Sequence, residues 1–136
     1  GPVELPAPQA EPSGDLPRVD ELLASVVSYL RDDVLGATRG RTRYLARVAA
    51  NSIDIAAREW AGGPALRERE RERLRTLLDA DGSLDALRWK LVHALRDGSM
   101  SLDEPGLAAH LRDSVVGQVA IDQPRYSGLR TALEAR

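Results

Sequence analysis

The chain has 136 residues, 43% of them hydrophobic and 29% charged, and a formal net charge of −2. That length supports one cored domain without staples, and the balanced charge excludes a globally basic binder of nucleic acid or anionic lipid. Cys is absent, which excludes disulfide scaffolds, thiolate zinc sites and cysteine nucleophiles.

Residues 1–17 hold five of the eight prolines and read as an extended, Pro-rich tail. Gly1 and Pro2 have the look of a cleaved-tag scar and are set aside. The start of the chain has neither a basic stretch nor an apolar signal core, and no window reaches the ~18 apolar residues of a membrane span. The expectation is a cytoplasmic protein that does not enter membranes.

From Leu16 the period is helical. Val19, Leu22, Leu23, Val26, Val27, Leu30 and Val34 recur at spacings of three and four. Asp20 and Glu21 suit the positive end of this first helix, and Gly36 ends it. A second helix is predicted over 42–60, stopping at Gly62, Gly63 and Pro64, and Pro64 opens a third that runs to residue 78. Ser83 reads as the N-cap of a fourth helix bearing Leu84, Leu87, Leu91 and Leu95, with Gly98 just past its end. Asp103 and Pro105 open a fifth, which Pro124 stops near Gln123. A short sixth helix starts near Ser127. Strand-type alternation occurs nowhere. Residues 18–136 therefore read as a single all-α domain, one bundle of about five helices packed antiparallel through short connections.

No glycine-rich phosphate loop, nucleophile elbow or paired-histidine zinc motif is present. His93 and His110 lie seventeen residues apart and read as surface or boundary residues, so neither a metal nor any other cofactor is expected. The run Arg67, Glu68, Arg69, Glu70, Arg71, Glu72, Arg73 predicts a solvated helix face with pairs such as Arg67–Glu70 and Glu70–Arg73, each worth ~0.2–0.5 kcal/mol.

Three features suit contact rather than catalysis. Arg39, Arg41 and Arg43, with Arg47 beyond them, form a basic cluster in a stretch, 34–52, that lacks acids. At a helix start this is either an anion-binding site or a set of ion pairs with Asp32 and Asp33. Arg47, Asn51, Asp54 and Arg58 fall at spacings of four, three and four, as an internal polar network or an interface. Asp122, Pro124, Arg125 and Tyr126 combine a helix stop, a possible Asp–Arg pair and an aromatic that either clasps the core or meets a partner. An Ala- and Leu-rich core suggests no cavity of the ~300 Å³ that a ligand site needs.

The stretches Arg47-Val48-Ala49-Ala50-Asn51, Ala57-Arg58-Glu59 and Ile121-Asp122-Gln123-Pro124-Arg125-Tyr126 resemble a bacterial family of small all-helical domains of unknown function. The resemblance extends over about 16–129. Gln123 stands where that family more often has Asn, and Tyr44 at or near a frequent Phe. The resemblance implies a setting beside aminoglycoside-phosphotransferase-like kinases and acyl-CoA dehydrogenases, as in catabolism of levulinate and other 4-hydroxy acids. There the kinase phosphorylates a hydroxyacyl-CoA and the small protein is its accessory partner. The expectation is a non-enzymatic accessory subunit of such a kinase, with an acyl-CoA dehydrogenase as a further candidate partner and homo-oligomerisation left open. Glu59 joins the implied interface set. The competing expectation is an acyl-CoA- or nucleotide-binding module that grips phosphate through Arg39, Arg41, Arg43 and Arg47.

Overall fold

The computed structural model describes residues 1–7 and 18–134. Leu16 and most of the Pro-rich tail lie outside the described residues. Among the described residues every regular element is helical, as the periodicity predicts: α1 Val19–Ser28, a π-helical turn Tyr29–Val34, α2 Leu35–Ala37, α3 Gly40–Leu78, α4 Leu84–Arg96, α5 Leu107–Asp122 and α6 Ser127–Glu134. By its internal contacts the chain divides into two compact units, one of 8–63 and one of 1–7 with 64–136, where the pattern reads as a single domain. The division falls inside α3.

In the first unit, α1 opens with Asp20 and Glu21 in its first turn, and the Glu21 carboxylate accepts from the Arg18 N–H at 3.3 Å. The predicted straight run to Gly36 is broken by the π turn, where the Leu35 N–H donates to the Leu30 carbonyl. One extra residue enters the helical phase there, and hydrophobic spacing alone carries no mark of it. Thr38 is extended and its hydroxyl donates to the Val34 carbonyl at 2.6 Å. The chain then reverses into α3. Val27 of α1 and Ala46 and Ala50 of α3 are buried, with Leu23, Leu30 and Val34 half-buried. Small residues at Ala46 and Ala50 favour close approach of one helix to another.

The predicted stop at Gly62-Gly63-Pro64 is a correction. α3 continues through all three for 39 residues. Two glycines and a proline cost about 1, 1 and 3 kcal/mol in helix propensity, so propensity argued for a break. Packing overrides it, since Gly63 is buried within the helix. α3 ends where Asp79 takes a left-handed φ of 45°, the conformation glycine usually supplies at a helix end.

The second unit is built on Leu74, Leu87, Leu91 and Leu107, which form one buried cluster from the end of α3, α4 and the start of α5. Leu77, Leu78, Leu84, Leu95 and Met100 pack around it. Ser83 caps α4 as predicted, its Oγ accepting from the Ala86 N–H at 3.2 Å. Ser83→Ala should therefore cost about 1 kcal/mol in a urea titration. Asp103 and Pro105 do not open α5. They lie in the preceding turns, and Gly106 at φ 87° is the N-cap, a left-handed backbone that no neighbouring L residue adopts cheaply. At Gly117, buried in α5, an added Cβ would stand 3.0 Å from Leu66 Cδ2, so α5 and this part of α3 approach closely. The tail residues belong here too. Arg69 donates to the Glu4 carbonyl at 2.9 Å and Arg112 to the Gly1 carbonyl at 3.2 Å.

Candidate functional site

In the first unit the polar stripe is only partly a network, and its centre is a residue the pattern did not offer. Arg31 of the π turn donates to Asn51 Oδ1 at 3.1 Å and to Asp54 Oδ2 at 2.6 Å. One guanidinium nitrogen thus joins two members of the stripe across the hairpin. Arg47 takes no part: it is exposed and, among the described residues, has neither a hydrogen bond nor an ion pair. Arg58 and Glu59 are half-buried and partnered. The partners of Arg31 lie 20 and 23 positions away, beyond any local spacing rule.

The arginine cluster is likewise divided. Arg43 donates to the Leu35 carbonyl at 3.1 Å, which braces the reversal before α3. Arg39 and Arg41 are exposed and, among the described residues, their side chains are without partners, as are those of Asp32 and Asp33. The expected ion pairs between these two groups are not formed.

The C-terminal motif is also corrected. Asp122 accepts from Gln118 Nε2 at 2.9 Å and forms no pair with Arg125. Pro124 and Arg125 are exposed. Tyr126 is 58% exposed, so it does not clasp the core. Its ring instead lies over Gly128, where a Cβ would come within 2.5 Å of it.

The alternating charge run in α3 is a set of tertiary ties. Glu70 receives two hydrogen bonds from Arg88 of α4, at 2.8 and 2.7 Å. Arg71 donates to the Gly82 carbonyl at 2.9 Å and so holds the α3–α4 turn. Arg73 turns to α5, donating from Nε to His110 Nδ1 at 3.4 Å and from Nη2 to Ser114 Oγ at 3.1 Å. The expected Arg67–Glu70 and Glu70–Arg73 pairs give way to these longer-range partners, because Glu70 and Arg73 face neighbouring helices rather than water.

His110 is 5% exposed and not the boundary residue expected. His93, by contrast, is exposed and its ring lies 5.9 Å from that of Trp89. Burial first, and the Arg73 charge second, push the His110 imidazole below its ordinary pKa of 6.5, against opposing pulls from Glu70 and Asp113 and a minor push from Arg88. The unfolded chain therefore takes up the proton before the folded one does. This contribution to stability is complete above pH 6.5 and is lost as pH falls through the folded value. Urea midpoints measured on either side of pH 6.5 should show that slope, and His110→Gln should flatten it. Beside His110 the surface opens into a cleft of about 500 Å³ walled by Arg73, Thr76, Leu77, Gly106 and Ala109, where composition suggested none.

Among the described residues no group of acids and histidines converges as a metal site, and no helix is long and apolar enough to cross a membrane. Residues 36–126 match the model of DUF6285, a domain of unknown function. No curated protein and no solved structure matches the chain.

Proposed function

The chain belongs to the DUF6285 family, and from that premise we propose that it is a non-catalytic, protein-binding subunit. Its partner in this reading is an aminoglycoside-phosphotransferase-like kinase acting on a hydroxyacyl-CoA, the setting that the resemblance in its motifs implies. The observation that carries the reading is apolar surface left open in the first unit. Leu22, Val26 and Tyr29 project from the outer side of the first helical stretch, and Tyr44, Leu45 and Val48 from α3. Tyr29 is 59% exposed and Tyr44 63%. Scattered exposed leucines are ordinary on a protein surface. Six large apolar residues at helical spacings on two paired helices are a docking surface. Two exposed aromatics in this set, together with the unpaired side chains of Arg39, Arg41 and Arg47 in the same stretch of chain, match the composition of binding hot spots.

The experiment is co-purification of the full chain with an aminoglycoside-phosphotransferase-like kinase from the same source. A stable complex at micromolar concentration is expected, lost in Val26→Glu with Val48→Glu while the melting temperature holds. Separate elution beside a kinase fully active alone overturns the reading.

The unpaired state of Arg39 and Arg41 favours one second reading, a module gripping the phosphates of coenzyme A or a nucleotide. Calorimetry with coenzyme A and with ATP separates the two. Salt-sensitive binding to the lone chain, weakened by Arg41→Ala with Arg43→Ala, supports the second.

A further inference from the structure

We infer that the N-terminus of α5, Arg73 and His110 form a binding site for a small oxyanion, the carboxylate or phosphate group of a metabolite. The site belongs to the second unit and stands whether or not the docking surface of the first binds a kinase.

Three features converge on the cleft. The first is an uncapped helix. α5 runs for 16 residues, its N-cap is a glycine, no side chain caps it and its first turn holds no acid. The Leu107 N–H donates to the Glu104 carbonyl and the His110 N–H to the Gly106 carbonyl. Between them the Ala108 and Ala109 amides have no partner among the described residues. Such amides carry the positive end of the helix dipole.

The second feature is His110. Its Nδ1 accepts from Arg73. A guanidinium only donates, so Nδ1 bears no proton and the neutral ring carries its proton on Nε2. That Nε2–H has no partner among the described residues. No fully buried side-chain nitrogen or oxygen among them lacks one, so Nε2 keeps some surface open to solvent, and His110 lines the cleft. A residue that is only 5% exposed thus keeps one unspent donor, and it shares the lining of the cleft with Ala109.

The third feature is Arg73. It gives its hydrogen bonds to two neutral acceptors, His110 and Ser114, and among the described residues has no carboxylate in ion-pair range. A half-buried cation whose charge is felt by Glu70 but which has no carboxylate in ion-pair range, a neutral imidazole donor and free amides at the helix start favour an anion. The volume of about 500 Å³ is within the range of small-ligand pockets, ~300–1,000 Å³. Two acids line the cleft. Glu72 is tied to Arg75 at 3.2 Å, and Glu104 is exposed at its edge, where it would oppose an anion.

The test is an amide and imidazole chemical-shift titration of the full chain with inorganic phosphate and, separately, with acetate, against chloride at matched ionic strength. Saturable shifts confined to the Ala108 and Ala109 amides and the His110 ring are expected. A preference for phosphate or for acetate tells which oxyanion the site is built for. Ala109→Asp places a carboxylate over the same amides from within, so it should abolish the shifts with an equal or higher melting temperature. Arg73→Gln should weaken binding about tenfold, as the loss of one charge-assisted hydrogen bond does, and Glu104→Gln should tighten it. Equal responses to chloride, no saturation, or unchanged shifts in Ala109→Asp overturn the inference.

Discussion

Leu74→Ala should lower the unfolding free energy by about 3 kcal/mol. Leu74 has no exposed surface and stands in the cluster with Leu87, Leu91 and Leu107. Removing its branched end forfeits the transfer energy of three carbons and leaves a cavity that rigid helical neighbours fill only in part, so buried Leu→Ala changes run ~2–5 kcal/mol. Domains of this size hold only ~5–15 kcal/mol in total. The urea midpoint of the variant should therefore drop steeply, with the slope unchanged if the cooperative unit is intact. A loss below about 1 kcal/mol would mean the cluster collapses to fill the space.

The second large effect is expected at Arg88, and it should be asymmetric. Glu70 keeps 15% of its side-chain surface, whereas Arg88 keeps 47%. Arg88→Ala strands a largely buried carboxylate and should cost about 2 kcal/mol, whereas Glu70→Ala frees an arginine that water can solvate and should cost about 1 kcal/mol. The hydrogen bonds from Arg88 hold the Glu70 carboxyl below its ordinary pKa of 4.5, against the opposing effect of burial. The sign follows: the pair contributes fully above pH 4.5 and loses its contribution as pH falls through the folded value. Acid titration of the wild type and the two variants should converge in that window. Equal costs for the two alanine variants would place the pair at the surface.

Local signals were legible wherever the physics is local. Ser83 could be read as a cap because its acceptor role needs only the amide three residues on, and Gly98 because its φ of 80° is glycine's own territory. The stop at Gln123 followed from Pro124, and α4 from leucines at spacings of three and four. Gly62, Gly63 and Pro64 misled for the converse reason: their breaking tendency is local, while the packing that buries Gly63 is not. The same limit hid the site residues. Arg31, Arg73 and His110 acquire their roles from partners 20 to 41 positions away. In a run of alternating charges, nothing in the sequence marks Glu70 and Arg73 as the two that turn inward.

The shortage of aromatics has a practical consequence. The chain has no Phe and two tryptophans, and Trp60 falls in the 8–63 unit while Trp89 falls in the other. Each unit thus carries its own fluorophore, and each indole keeps part of its surface shielded in the fold, so unfolding changes its solvent. Trp89→Tyr leaves emission from the first unit alone, and Trp60→Tyr from the second alone. Overlaid denaturation curves from the two single-tryptophan proteins would mean that α3 transmits unfolding across its own length as one cooperative event. Separated curves would make the chain a pair of independently melting modules joined by a shared helix, each with a midpoint read from its own single-tryptophan protein.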